Sequence, residues 1–345
     1  MSLGDGGRVG LESTPQGRST SPHARQADVV LPATDDGMLI VDRSGRVAPL
    51  TRPVGEIWRV PHSGKVMPLN QRFAQMWQLP GRVMDRLVAE NRLRQAVERQ
   101  ELEVFFQPQA NLTTGQVDGV EALVRWRHPS RGLIMPDDFI PLAERTGLIL
   151  PLGEWVLRAA CAQNAAWLRS GLQPLRLAVN LSARQLEQAD LVDMVAGVLS
   201  DTQMNPGWLE LEVTESTTMR DPSKAIKALH ALRDLGLRIS MDDFGVGYSS
   251  LAHLKDLPLD ALKIDRSLIS GVTTTRSYAA IARAIVAMAE GMNLEVVAEG
   301  VETPGQLAFV KGIRCDRYQG YLLGHPEPAN QLSSVLQRPS SEHAA

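Results

Sequence analysis

The chain has 345 residues, enough for two ordinary domains or for one large barrel with an extension. Hydrophobic residues make up 43% and charged residues 22%, ordinary globular usage that excludes collagen-like, coiled-coil and wholly disordered chains. The formal net charge of -3, from 36 basic against 39 acidic residues, gives no general field for a polyanion, so no duplex nucleic acid partner is expected and a phosphate-bearing ligand must be caught locally. Cys161 and Cys315 stand far apart and belong to no CxxC or Cys/His cluster, which argues against a zinc site or a disulfide framework. No stretch approaches the roughly 20 apolar residues of a membrane span, and no signal-peptide core is visible, so a cytoplasmic address without a membrane span is expected.

In chain order, residues 1–27 are rich in Gly, Ser, Pro and Arg and poor in large apolar groups, the composition of a disordered tail. Residues 28–82 form a small N-terminal segment with β-like pieces at 38–41 and 56–60 and a helix-compatible run at 71–77. Its phrases GMLIVDRSGRV and LNQRFAQMWQLP resemble pieces of PAS sensory domains, in a stretch short for an intact one. A helical run at 83–100 opens the main region, 83–338, which is followed by a tail at 339–345. Strand patterns then fall at 104–108, 119–126, 175–181, 209–213, 238–241, 261–264, 294–298 and 314–319. Amphipathic runs at 153–170, 182–200, 222–235, 277–292 and 303–311 are long enough to be crossover helices between them. Eight such alternations in about 250 residues predict an α/β fold, a (β/α)8 TIM-like barrel with a small, partly disordered N-terminal extension.

In such a barrel the chemistry gathers where the C-terminal ends of the strands converge on one mouth. The apolar runs here end in Glu121, Asn180, Glu212, the pair Asp242 and Asp243, Lys263, Glu299 and Gln319. Taken singly, each carboxylate reads equally well as a helix cap or a loop charge; their recurrence at equivalent positions points to one site. Five carboxylates and the Asn180 amide, with no histidine or cysteine among them, form an all-oxygen donor set suited to Mg2+ or Mn2+ rather than zinc. Adjacent Asp242 and Asp243 suit two ions, because one carboxylate can bridge while its neighbour ligates the second. A protonated Lys263 has no lone pair to offer a metal and serves instead to position water or offset charge.

EALVRWRHP at 121–129, LEVTES at 211–216, DDFGVGYSSL at 242–251, LKIDRSLI at 262–269, VVAEGVET at 296–303 and CDRYQGYLLGHP at 315–326 closely resemble the EAL family of cyclic di-GMP phosphodiesterases. The resemblance implies that Glu121, Asn180, Glu212 and Asp242 hold one metal, and Asp242, Asp243 and Glu299 the second. It implies that Lys263 orients the water, with Glu299 and Glu121 sharing the catalytic work and Gln319 supporting the network and substrate. Arg125 would contact substrate phosphate and Gln107 would line the nucleotide cleft. Glu302 would brace the loop after DDFG, its alternative being a carboxylate at a helix N-terminus. A homodimer through the region after Asp243 is implied as well. Two departures stand out: Val246 where Thr is frequent, and His325 where Lys or Arg is frequent.

The reaction so implied is hydrolysis of cyclic di-GMP to linear 5′-pGpG with two Mg2+ or Mn2+ ions, and Ca2+, larger and looser in its coordination, is expected to inhibit. The alternative is a non-catalytic cyclic di-GMP receptor, and the complete ligand set favours the enzyme. Ser249 and Ser250 sit in no GxSxG elbow, so they do not suggest a Ser/His/Asp hydrolase.

Overall fold

The computed structural model describes residues 29–33, 37–41, 47–49, 81–245 and 251–336. The chain divides into two units, Met1–Met84 and Asp85–Ala345. In the first, β1 (Val29–Ala33), β2 (Gly37–Val41) and β3 (Val47–Pro49) form an antiparallel sheet in the order β1-β2-β3. The β-like run at 38–41 falls within β2, while the β-like run expected at 56–60, the helix-compatible run at 71–77, and both tails lie outside the described residues.

Helix α1 (Gly81–Glu98) leads into β4 (Leu102–Asn111) and β5 (Val117–His128). The remaining barrel strands are β7 (Arg176–Asn180), β8 (Leu209–Thr214), β9 (Arg238–Phe244), β10 (Ala261–Ile264), β11 (Glu295–Ala298) and β12 (Arg317–Gln319). The order β4-β12-β11-β10-β9-β8-β7-β5 closes on itself through pairing of β5 with β4. Short strands β6 (Gly132–Ile134) and β13 (Glu327–Pro328) add to β5 and β4 respectively.

This is the expected eight-stranded barrel with one difference of direction. β4 runs antiparallel to both of its barrel neighbours, β5 and β12, whereas every other neighbouring pair among the eight barrel strands is parallel. The cause is the link between β4 and β5, residues 112–116: a parallel return needs a crossover of a dozen residues or more, and a five-residue turn permits only a hairpin. Its turn is closed by the Asn111 carboxamide, which accepts from the backbone N–H of Thr113 and Thr114.

The strands are buried on both faces. On β8, Leu209, Leu211 and Val213 are at most 1% exposed in the apolar layer, while Glu210 and Glu212, at alternate positions, share the opposite face. Burial of one such leucine contributes about 1.5–3 kcal/mol. The helices around the barrel are α2 (Pro136–Thr146), α3 (Ile149–Arg169), α4 (Ala183–Leu186), α5 (Leu191–Thr202), α6 (Glu215–Met219), α7 (Pro222–Asp234), α8 (Leu251–Leu254), α9 (Arg266–Gly271), α10 (Arg276–Gly291), α11 (Pro304–Gly312) and α12 (Ala329–Leu336). The single run expected at 182–200 is two helices: a reciprocal Ser182/Gln185 capping box starts α4, and α5 begins afresh after Asp190. Helix α2 had readable signals that the periodicity alone did not reveal, Pro136 at its start, Asp137 and Asp138 in its first turn, and Gly147 closing it at φ 84°. Both cysteines are free and buried, and no helix among the described residues is long and apolar enough to cross a membrane.

Candidate active site

Consecutive residues on a regular strand point to opposite faces, so two adjacent aspartates serve one site only if the strand departs from regularity. It does so here. Ala261 and Leu262 of β10 pair with Ser240 and Met241 of β9, but Ile264 pairs with Phe244, so Asp242 and Asp243 together oppose Lys263. Asp243 takes the extra position with φ 55°, a left-handed conformation that aspartate tolerates better than most residues. Its backbone N–H donates to Asp242 Oδ1 at 2.9 Å. The bulge brings carboxylate oxygens of Asp242, Asp243 and Glu299 within 4.8 Å of one another.

Lys263, 1% exposed, stands at the centre of the barrel mouth. Its Nζ lies 2.6 Å from Glu212 Oε1, 2.7 Å from Glu299 Oε1, 3.2 Å from Asp242 Oδ1 and 3.7 Å from Glu121 Oε2. Around Glu121, Asn180 Nδ2 donates to Oε1 at 2.8 Å and Gln319 Nε2 to Oε2 at 2.7 Å. Gln319 Nε2 also donates to Gln107 Oε1 at 2.8 Å, and Gln107 Nε2 to the Gly324 carbonyl at 3.1 Å. Every strand-end residue named from sequence is thus in or beside one cluster. Gln107 joins it from mid-strand, because antiparallel β4 places Gln107 directly opposite Glu121.

The charges in the cluster do not balance. Burial pushes the Glu212 carboxyl well above the ordinary carboxylate range, and the charge of Glu121 pushes it further. Burial, with Asp242 and Glu121 adding to it against the pull of Lys263, raises Glu299 to about 8. Asp243 is raised too, by burial and then by Asp242. Burial would lower the Lys263 ammonium, but Asp242, Glu121, Glu212 and Glu299 reverse that and hold it well above its usual value. Glu121 is lowered despite its burial, by Lys263 and by the Gln319 and Asn180 hydrogen bonds. One ammonium facing so many carboxylates leaves a deficit of positive charge in an all-oxygen site, and hard divalent cations fit that deficit.

A cleft of about 1430 Å³ opens over this cluster. Glu121, Asn180, Asp242, Asp243, Glu299 and Gln319 form its floor, with Gln107, Arg125, Glu302 and Tyr321 also on its lining. Arg125 is 6% exposed; its Nη1 donates to the Val124 carbonyl at 2.8 Å and its guanidinium lies 5.6 Å from the Phe105 ring centre. Burial lowers its pKa, with Glu121 opposing. His325 stacks on the Tyr321 ring at 4.0 Å between centres, so the residue that departs from the resemblance supports the cleft wall. Glu302 is exposed at the cleft, and its backbone N–H donates to Gln306 Oε1 at 2.8 Å just before α11. Its expected partner loop, residues 246–250, and with it Val246, lie outside the described residues. Trp126, by contrast, packs edge-on against Phe139 and donates from Nε1 to Glu101, away from any ligand role.

Beside the cluster lies a buried polar residue that the strand-end pattern did not mark. Gln109, 1% exposed, donates from Nε2 to Gln319 Oε1 at 2.9 Å. The signal was present in FFQPQ, where Gln107 and Gln109 at alternate positions share a strand face.

The EAL domain model matches residues 90–326. A Pseudomonas aeruginosa protein named as the bifunctional diguanylate cyclase/cyclic di-GMP phosphodiesterase MucR is 50% identical over 240 residues, 70% of this chain and 35% of its own length. The cyclic di-GMP phosphodiesterase NbdA of the same organism is 48% identical over 255 residues, 74% of this chain and 33% of its own length. This chain therefore spans about a third of the length of these curated relatives. Among solved structures, the PaMucR phosphodiesterase in complex with c-di-GMP superposes with a TM-score of 0.68 at 50% identity, covering 71% of this chain and 99% of that one. On sequence, fold and extent of match together, this chain belongs to the EAL domain family.

Proposed function

We propose that this protein hydrolyses cyclic di-GMP to linear 5′-pGpG in its barrel mouth, and that residues 83–338 are the phosphodiesterase domain. The observation that carries this reading is the buried, net-negative cluster around Lys263 on the floor of a cleft large enough for a dinucleotide. Glu121, Asn180, Glu212 and Asp242 would hold one Mg2+ or Mn2+ ion, and Asp242, Asp243 and Glu299 a second. When bound, such ions supply Lewis-acid charge that activates water and neutralises phosphodiester oxygens.

The chain's own groups do the rest. Lys263, fixed by its carboxylate partners, presents a permanent positive charge where the attacking water and the developing phosphorane charge meet. Glu299 shares the water with Lys263, and Glu121 is held in one orientation by Asn180 and Gln319. Arg125, already desolvated and braced on Phe105, would take a phosphate of the substrate. Gln107 and Gln319 line the nucleotide side, and Glu302 braces the following loop. Attack by water oxygen on phosphorus breaks one P–O3′ bond; the 3′-oxygen leaves with a proton and a 5′-phosphate remains. A homodimer through the region after Asp243 belongs to this reading.

Purified protein is incubated with cyclic di-GMP and Mg2+ or Mn2+, and the nucleotides are separated chromatographically. Linear 5′-pGpG should appear, and it should vanish with chelator or with Ca2+ in place of Mg2+. Saturable nucleotide binding without product contradicts the enzyme and leaves a receptor.

A further inference from the structure

We propose that Gln109 is a positioning residue: it fixes the Gln319 amide so that its NH2 faces Glu121 and Gln107. The inference rests on the reading of the cluster as a cation site. Gln319 meets two acceptors, Glu121 Oε2 at 2.7 Å and Gln107 Oε1 at 2.8 Å, so its NH2 must point there and its carbonyl must point away. The donor that meets that carbonyl is Gln109 Nε2 at 2.9 Å. The amides then run in one sense, from Gln109 through Gln319 and Gln107 to the Gly324 carbonyl. Reversal of Gln319 would turn its oxygen toward the Glu121 carboxylate, removing a donor and adding repulsion at a metal ligand.

Two features show that Gln109 is held in this sense rather than merely filling space. First, its own Oε1 is buried and has no hydrogen-bond partner among the described residues, and Arg317 Nη1 is equally unpartnered. An apolar side chain would incur no such cost, and turning the Gln109 amide over would set its oxygen against that of Gln319. Second, the backbone makes room for it. Gln109 lies directly opposite Gly119 on β5 and opposite Gln319 on β12. A Cβ on Gly119 would stand 3.1 Å from Gln109 Oε1 and 3.0 Å from Arg317 Nη1, so glycine leaves the space both side chains use.

The test is a calorimetric titration of the full chain with Mn2+ alone, for the unmutated protein, Gln109→Met, Gln319→Met and the double variant. Gln109→Met should weaken Mn2+ binding by about 10-fold, the usual loss when a group supporting a ligand is removed. Gln319→Met should weaken it at least as much, and the double variant should be no weaker than Gln319→Met, because Gln109 acts through Gln319. A merely structural role would instead make the two losses add. Should Gln109→Met fail to fold, Gly119→Ala, which crowds Gln109 Oε1 at 3.1 Å, carries the same expectation. Unchanged Mn2+ affinity in these variants, or additive losses in the double variant, overturns the inference while leaving the cation site standing. Absence of Mn2+ binding by the unmutated protein overturns the cation site and this inference with it.

Discussion

Glu210 and Glu212 stand two residues apart on β8, both at most 2% exposed, yet their surroundings are opposite. Glu210 belongs to a layer below the cluster, where Arg176 and Arg238 each approach its Oε2 to 3.5 Å and both also reach Glu295. Arg317 and Asp118 add a further pair at 2.6 Å, so carboxylates and guanidiniums are matched one for one. Glu212 belongs to the layer at the mouth, where one ammonium faces Glu121, Glu212, Asp242 and Glu299. The lower layer is balanced in charge; the upper one lacks positive charge. Burial of charge therefore does not distinguish a site from a structural plug, whereas imbalance of buried charge does.

That contrast can be broken from either end. The largest effect is expected at the mouth: Asp242→Ala removes the carboxylate shared by both proposed cation positions and should lower turnover of cyclic di-GMP by about 1000-fold or more, since cation charge contributes several kcal/mol to such a reaction. A steady-state assay with Mn2+ reads this directly. Next, Lys263→Met keeps the carboxylates but removes the fixed positive charge, and kcat should fall by about 100-fold with the protein still binding Mn2+. In the lower layer the consequence is stability rather than chemistry. Glu210→Ala leaves Arg176 and Arg238 to share Glu295, one buried carboxylate short, and should cost about 3 kcal/mol in denaturant unfolding, with Mn2+ affinity unchanged.

The smallest effect is a pH dependence at Glu295. Burial would raise this carboxyl, but Arg176 and then Arg238 hold it below its ordinary value of 4.5. A carboxyl lowered on folding contributes stability that is present above the unfolded value and lost as pH falls through the folded one. Unfolding midpoints of the unmutated protein should therefore drop below pH 4.5 more steeply than those of Glu295→Gln. The difference is modest, because the side chain is 37% exposed and solvent screens the pair.

Much of this was legible in the sequence because barrel strands carry it locally. The polar residue closing each apolar run, such as Asn180 after LAV or Glu299 after VVA, marks a strand end and a site residue at once. What was not legible depends on pairing between distant segments. The reversed direction of β4 follows from a turn whose length was visible, yet its consequence, Gln107 and Gln109 set against Glu121, Gly119 and Gln319, exists only once the barrel closes. The bulge at Asp243 is of the same kind: the DD pair was visible, but its shared orientation comes from the register with β10. The Arg176, Glu210 and Glu295 layer was not legible because its charges come from three separate segments and meet only in the closed barrel.

The central claim is that the mouth cluster, and not the balanced layer beneath it, holds the divalent cations. Crystals of the full chain soaked in Mn2+ and measured at the manganese absorption edge test it most directly. Anomalous peaks should appear among Glu121, Asn180, Glu212 and Asp242 and among Asp242, Asp243 and Glu299, and none beside Glu210 or Glu295. An empty mouth, or peaks in the lower layer, would contradict the account.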